Sequence, residues 1–115
     1  MKYNIKEKDN KIIILFDDPN LIGLQELLNT IDMFNITLED IMEKIDLVLS
    51  EESGFEEIGS ENVMIQISKN GSEIYDLYKG IVEEDELFPT IYLSNKELKD
   101  IIGSWNDEKK QFNHR

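Results

Sequence analysis

The sequence predicts a single α+β domain spanning residues 1–115, in which three helices pack against a mainly antiparallel sheet of about five strands. A chain of 115 residues is long enough to bury one hydrophobic core without disulfides or a metal. Apolar residues alternate with polar ones in some segments and recur every three or four positions in others, which indicates strands and helices respectively. The segments follow the order β-β-α-α-β-β-β-α, and this grouping of strands and helices is typical of the α+β class.

The first two strands are expected at residues 3–7 and 11–16, joined by residues 8–10. Every residue from Ile12 to Phe16 is apolar. A continuous apolar run favours a strand that is buried on both faces, so we expect the second strand to be central in the sheet.

Two helices are expected next. Asn20 is predicted to cap the first helix, and Thr37 to cap the second, with Asp40 at the N3 position as in a capping box. The apolar residues of the first helix recur at intervals of three and four and are Leu21, Leu24, Leu27, Leu28 and Ile31. Those of the second helix form one continuous stripe and are Leu38, Ile41, Met42, Ile45, Val48 and Leu49.

Two further strands are expected at residues 61–68 and 72–78. Asn70-Gly71 separates them, and this dipeptide predicts a type I′ hairpin turn because both residues tolerate positive φ. The first of the two strands alternates polar residues with Val63, Ile65 and Ile67.

The last part of the chain is predicted to contain an exposed loop or irregular helix turn at residues 80–89, a short strand at 90–93 and a final helix. Ser94 and Glu97 have the spacing of a capping box at the start of that helix. Its apolar stripe places Trp105 in the core.

Charge is distributed unevenly along the chain. Residues 13–95 contain 19 of the 25 acidic residues and 3 of the 12 basic ones, so this region carries −16 while the whole chain carries −13. A field of this sign repels phosphate and attracts cationic surfaces. Direct binding of nucleic acid requires a basic face, and the only arginine is Arg115. We therefore expect no direct contact with nucleic acid.

No residue pattern points to catalysis or to a cofactor. The chain has no cysteine and one histidine, His114, which excludes thiol chemistry and the common zinc sites. It contains neither a nucleotide-binding glycine motif nor the spacing of an EF-hand. A pair of distant carboxylates acting as in a glycosidase stays open, although 25 acidic residues produce such pairs by chance. The expectation is a protein with no enzyme activity, no metal and no cofactor.

The sequence also predicts a cytoplasmic protein that does not bind membranes. Residues 1–11 lack the apolar segment of a signal peptide, and the longest apolar run, residues 12–16, is too short to cross a bilayer. The lack of cysteine fits a reducing compartment. Anionic lipids would repel the acidic middle of the chain.

Acidic residues on the second helix are the leading candidates for a binding surface. Glu39, Asp40, Glu43 and Asp46 lie off the apolar stripe, and we expect only Lys44 to offset them. At spacings of three and four residues they repel one another. A basic partner would relieve that repulsion.

The same acidity continues through the loop expected after the second helix, because residues 37–61 contain nine acids and one base. A second acidic segment is expected in the loop at residues 83–86. Aromatic anchors beside acidic residues are typical of interface centres, and we expect one of the tyrosines in the strand at 72–78 to point outward. The candidate partner-binding residues are Glu39, Asp40, Glu43, Asp46, Glu51, Glu52, Tyr75, Tyr78, Glu83, Glu84, Asp85, Glu86 and Phe88.

Residues 92–105 combine a strand, a serine-capped turn and a helix of the form L-x-x-I-I-x-x-W, from Leu98 to Trp105. This pattern resembles the C-terminal part of several bacterial immunity proteins, including those of contact-dependent growth inhibition systems. The resemblance implies a cytosolic antitoxin that forms a heterodimer with a cognate toxin domain, commonly a nuclease, and blocks it by stoichiometric occlusion.

Two other classes of function are compatible with the sequence. One is an acidic adaptor or nucleic-acid mimic that blocks a host or phage DNA-binding protein. The other is a small enzyme or metal-binding domain. A toxin gene immediately upstream favours the immunity protein, a phage operon favours the mimic, and converging carboxylates in a closed pocket favour the enzyme.

Overall fold

Six strands form two antiparallel sheets in the computed structural model of the chain, which describes residues 2–77 and 89–114. Strands β1 (Tyr3–Lys8) and β2 (Lys11–Phe16) form a two-stranded sheet. The second sheet has four strands in the order β3-β4-β5-β6, and these are β3 (Phe55–Gly59), β4 (Val63–Ser68), β5 (Gly71–Asp76) and β6 (Ile91–Leu93).

Three helices accompany the sheets, namely α1 (Ile22–Asn29), α2 (Leu38–Leu49) and α3 (Asn95–Asn113). The α+β class, the antiparallel pairing and the three helices are confirmed for the described residues. The expected single sheet of about five strands is wrong, because six strands divide between two sheets. None of the described helices is both long and apolar enough to span a membrane.

Strand β3 was not predicted, since residues 55–59 were expected to belong to an acidic loop. Two adjacent glutamates and a glycine in five residues give this segment a low intrinsic preference for strand. Pairing with β4 nevertheless orders it, with Glu56 opposite Ile67 and Ile58 opposite Ile65. Tertiary pairing therefore overrides the local composition.

The capping predictions are confirmed for two of the three helices. Thr37 and Asp40 form a capping box at the start of α2, and Ser94 and Glu97 form another at the start of α3. The predicted cap at Asn20 is wrong. The side chain of Asp18 instead accepts a hydrogen bond from the Asn20 amide and caps a 3-10 turn that precedes α1. Proline at the first position of that turn, directly after Asp18, favours this start.

The hairpin turns differ from the prediction. Asp9 and Asn10 both have positive φ, 52° and 64°, as a type I′ turn requires. The type I′ turn predicted at Asn70-Gly71 is wrong, because the positive φ of 136° lies on Gly71 alone and Gly71 is the first residue of β5. A Cβ on Gly71 would lie 2.9 Å from the carbonyl oxygen of Leu93. The glycine thus permits the close approach of β6.

The helices lie on one face of the four-stranded sheet, which we call the inner face. Its buried apolar residues are Val63, Ile65, Ile67, Ile74 and Ile91. Helix α2 packs on β3, β4 and α3, whereas α1 and α3 each contact both β2 and β5. Trp105 is 1% exposed, and its Nε1–H donates to the carbonyl oxygen of Leu28 at 3.0 Å. The core position predicted for Trp105 is confirmed.

The predicted central position of β2 is wrong, because β1 is its only partner strand among the described residues. Its second edge meets α1 instead. The side-chain amide of Asn29 accepts from the Ile14 N–H at 2.8 Å and donates to the Ile14 carbonyl at 2.9 Å. Gln25 Oε1 accepts from the Phe16 N–H at 2.9 Å.

The spacing of these two amide side chains matches the strand. Gln25 and Asn29 are one helical turn apart, a rise of about 6 Å. Ile14 and Phe16, whose amides point to the same edge, are about 6.8 Å apart along the strand. One face of α1 therefore takes the place of a third strand.

Asn95, the first residue of α3, attaches this helix to the sheet. Its side chain is buried, its Oδ1 accepts from the Ser72 hydroxyl at 2.7 Å, and its Nδ2 donates to the Ser68 carbonyl at 2.7 Å. The start of α3 is thereby held at the β4–β5 hairpin.

Replacing Asn29 tests the role of the amide on the edge of β2. We expect Asn29→Ala to lower the free energy of unfolding by about 2–4 kcal/mol, because the N–H and C=O of the buried Ile14 both lose their partner. Urea denaturation of the two proteins measures the difference. Asn4→Ala, at an exposed position of β1, is the matched control and is expected to change stability by less than about 0.5 kcal/mol. Equal effects of the two substitutions would contradict the assignment.

Two glycines give opposite expectations when replaced by alanine. Gly71→Ala should lower the free energy of unfolding by more than about 1 kcal/mol, because of its positive φ and the carbonyl of Leu93. Gly103 lies inside α3, where a Cβ would meet only Met42 Cε at the ordinary distance of 3.8 Å. Gly103→Ala should therefore raise stability by about 0.5–1 kcal/mol. Thermal unfolding of both variants measures these changes, and a shift of the same sign in both would refute the explanation.

Candidate functional site

Four of the predicted acidic residues line one shallow groove. Glu39, Glu43 and Asp46 follow one another along the exposed stripe of α2, which points away from the inner face of the sheet. Together with Leu47, Ser50 and Glu52 they line a depression of about 490 Å³. We call this depression the α2 groove. It contains four of the six acidic residues that the sequence proposes for α2 and the loop after it.

Two of the predicted residues do not belong to the groove. The carboxylate of Asp40 accepts from the backbone N–H of Thr37 at 2.9 Å and serves as part of the helix cap. Glu51 follows the end of α2 with a φ of 66°. Its position in the left-handed region continues the chain from the end of the helix towards β3.

Lysines of α3 neutralise part of the α2 groove. Lys99 Nζ lies 2.6 Å from Asp46 Oδ1, and Lys110 Nζ lies 3.8 Å from Glu39 Oε1. The expectation that only Lys44 offsets the acids of α2 is therefore wrong. Lys44 itself pairs with Glu56 of β3, at 3.3 Å.

Glu43 and Glu52 keep their charge uncompensated. Neither forms an ion pair with any residue in the described ranges 2–77 and 89–114. The free negative charge of the groove is thus concentrated on these two side chains. They are the groove residues most available to an external cation.

None of the helices in residues 2–77 and 89–114 packs on the second face of the four-stranded sheet, which we call the outer sheet face. Two large apolar residues are exposed on it, Phe55 at 49% and Tyr92 at 72%. The residues pointing to this face, from the strand register, are Phe55, Glu57, Gly59, Met64, Gln66, Ser68, Gly71, Glu73, Tyr75 and Tyr92.

A depression of about 520 Å³ lies on the outer sheet face. Phe55 lies on one side of it, in one row across the sheet with the small residues Ser68 and Gly71, and Tyr92 lies on the other side in the neighbouring row. Glu73 also lines it and pairs directly with Tyr92 across β5 and β6. The depression therefore combines aromatic rings with a carboxylate.

Of the remaining predicted residues, Tyr75 alone belongs to the described part of the chain. Tyr75 lies half-buried on the outer sheet face, and its hydroxyl accepts from Gln66 Nε2 at 3.1 Å. The others lie outside the described residues, and they are Tyr78, Glu83, Glu84, Asp85, Glu86 and Phe88.

Sequence reasoning missed Phe55 and Tyr92. The alternation of residues along a strand could have revealed Tyr92, because its neighbour Ile91 is apolar and must face the core. Phe55 gave no such signal, since β3 was not expected. Its position depends on the pairing of β3 with β4.

The chemistry available on these surfaces is the binding of cations by carboxylates and aromatic rings. Within the described residues, no group of three or more histidine, cysteine or acidic side chains could hold a metal ion. A hydrogen bond from the Ser53 hydroxyl, together with Lys44, lowers the pKa of Glu56 below its ordinary value. This carboxylate therefore stays charged to a lower pH than an ordinary glutamate does.

The chain matches no protein-family model, no curated protein and no solved structure. Its function must accordingly be argued from its own surfaces.

Removing the Ser53 hydroxyl tests the environment of Glu56. Because the folded pKa of Glu56 is lowered, its contribution to stability is present above the unfolded pKa and is lost as the pH falls through the folded pKa. Ser53→Ala should raise the pKa of Glu56 and reduce the stability lost between roughly pH 5 and pH 3. Carbon-13 titration of the Glu56 carboxyl and urea denaturation at both pH values measure the two effects. An unchanged pKa in the variant would disprove the role of Ser53.

Proposed function

We propose that this chain is a cytoplasmic immunity protein that binds a cognate bacterial toxin domain and neutralises it as a heterodimer, without catalysis of its own. The toxin is proposed to be a nuclease with a basic cleft. The observation that supports this most is the α2 groove, where Glu43 and Glu52 are uncompensated on a chain of net charge −13.

The acidic surface suits a basic cleft for two physical reasons. A nuclease attracts phosphate with a positive field, and a carboxylate surface occupies the same field. Opposite net charges also steer the two proteins together before contact, which raises the association rate. Occlusion requires no reacting group on the inhibitor.

The ion pairs inside the groove can be replaced by ion pairs with a partner protein. Lys99 and Lys110 bind Asp46 and Glu39 at positions where the side chains remain about half exposed. Ion pairs at exposed positions contribute no more than about 1 kcal/mol each. A cation of the toxin can replace either lysine at small cost, while the lysines limit self-repulsion in the free protein.

The alternative proposal is an acidic adaptor or nucleic-acid mimic that blocks a host or phage DNA-binding protein. It uses the same surface and the same electrostatic argument. The neighbouring genes distinguish the two, since a toxin gene immediately upstream supports immunity and a phage operon supports mimicry.

Mixing the chain with the toxin domain encoded immediately upstream tests the proposal. We expect a stoichiometric complex that abolishes toxin activity, with an association rate that falls at least about tenfold between low and high salt. The double variant Glu43→Gln/Glu52→Gln should slow association several-fold and leave the dissociation rate almost unchanged. Stopped-flow measurements give both rates.

Glu26→Gln, at an exposed position of α1, is the control that removes one charge away from the groove. It should change the association rate much less than the double variant does. A rate that does not depend on salt would contradict electrostatic steering. If no complex forms with any neighbouring gene product, the immunity proposal is wrong.

A further inference from the structure

We infer that the outer sheet face is a second docking surface, which binds a basic segment of a partner protein and holds an arginine or lysine side chain between Phe55 and Tyr92. This goes beyond the proposed function, because the α2 groove lies on the helical side of the sheet and shares no residue with this face.

The backbone fixes the shape of the depression. Phe55 and Tyr92 lie on β3 and β6, which are three strand spacings or about 14 Å apart. Ser68 and Gly71 lie beside Phe55 in the same row across the sheet, and these small residues leave the floor low at that end of the depression. Gly71 cannot carry a larger side chain, because of its φ of 136° and the nearby carbonyl of Leu93. The low floor at this end of the depression is therefore a consequence of the strand geometry at Gly71.

The charge of the face selects a cation. Glu57 and Glu73 lie in one row across the sheet, each opposite Gln66 on β4. They are two strand spacings or about 10 Å apart. None of the described residues that line the depression is a lysine or arginine.

Three groups in one row of the outer sheet face, those of Tyr92, Glu73 and Gln66, match the chemistry of an arginine side chain. The ring of Tyr92 offers a face for a cation–π contact, and the adjacent Glu73 carboxylate can accept charged hydrogen bonds from a guanidinium. Gln66 donates its Nε2 to Tyr75, and its Oε1 accepts no hydrogen bond from the described residues. That oxygen is left as an acceptor for an incoming N–H group.

A second copy of this chain does not fit the face. Two copies packed face to face would bring a second pair of Glu57 and Glu73 carboxylates into the same interface, on chains that each carry −13. Like charges placed opposite each other in an interface are strongly unfavourable. The occupant is therefore a protein segment of opposite charge.

Titrating the labelled protein with a short peptide of alternating arginine and glycine tests the inference. We expect saturable nitrogen-15 shift changes at Gln66, Glu73 and Tyr92. Tyr92→Ala should weaken binding about threefold, and the double variant Tyr92→Ala/Glu73→Gln about tenfold. Both positions lie on the uncovered face, so the variants should keep the fold, which the indole signal of Trp105 reports.

Met33→Ala is the matched control for loss of an exposed apolar side chain, because Met33 is 81% exposed and lies off this face. Glu26→Gln is the matched control for loss of one charge. Both substitutions should change the affinity for the peptide by less than about twofold. This is a smaller change than the one expected from loss of the Tyr92 cation–π contact. Shift changes confined to α2, equal effects of the controls, or no binding at millimolar peptide would each overturn the inference. None of these results involves the toxin, so they are separate from the test of the proposed function.

Discussion

The side-chain amide of Asn29 takes the place of a neighbouring strand at the edge of β2, and the arrangement of the other elements depends on this contact. The amide binds both backbone groups of Ile14. On the residue before Asn29, the carbonyl of Leu28 accepts from the indole of Trp105. The end of α1 is thus bonded to the β1–β2 hairpin through Asn29 and to α3 through Leu28. These bonds hold α1 and α3 together on the side of the inner face.

The acidic charge has two different consequences for binding. Ion pairs from Lys99 and Lys110 neutralise two of the carboxylates of α2. The α2 groove therefore stays negative, while the repulsion among its own carboxylates is reduced. Its field acts over a Debye length and favours encounter with a basic protein. The outer sheet face carries fewer charges but exposes Phe55 and Tyr92. Aromatic residues at the centre of a patch contribute to the lifetime of a complex more than to its formation.

How far the sequence predicts this molecule depends on how local each feature is. The capping boxes at Thr37 and Ser94 were predictable because each is complete within four residues. The edge position of β2 was not predictable. A continuous apolar run has the same sequence whether a neighbouring strand or the side-chain amides of a helix bind its second edge. The pairing of Lys99 with Asp46 depends on the packing of α3 against α2. Four acidic residues of the groove were therefore among the candidates named from the sequence, but the lysines of α3 that pair with two of them were not foreseen.

The central claim is that α1, the hairpin and the four-stranded sheet unfold as one unit joined through Asn29 and Trp105. Residue-resolved hydrogen exchange of the free protein tests it most directly. The Ile14 amide points away from β1 and donates to Asn29 at 2.8 Å. This amide should exchange as slowly as the amides of Ile65 and Ile74, at the free energy of global unfolding. Exchange of Ile14 at the rate of an open hairpin edge would contradict the account.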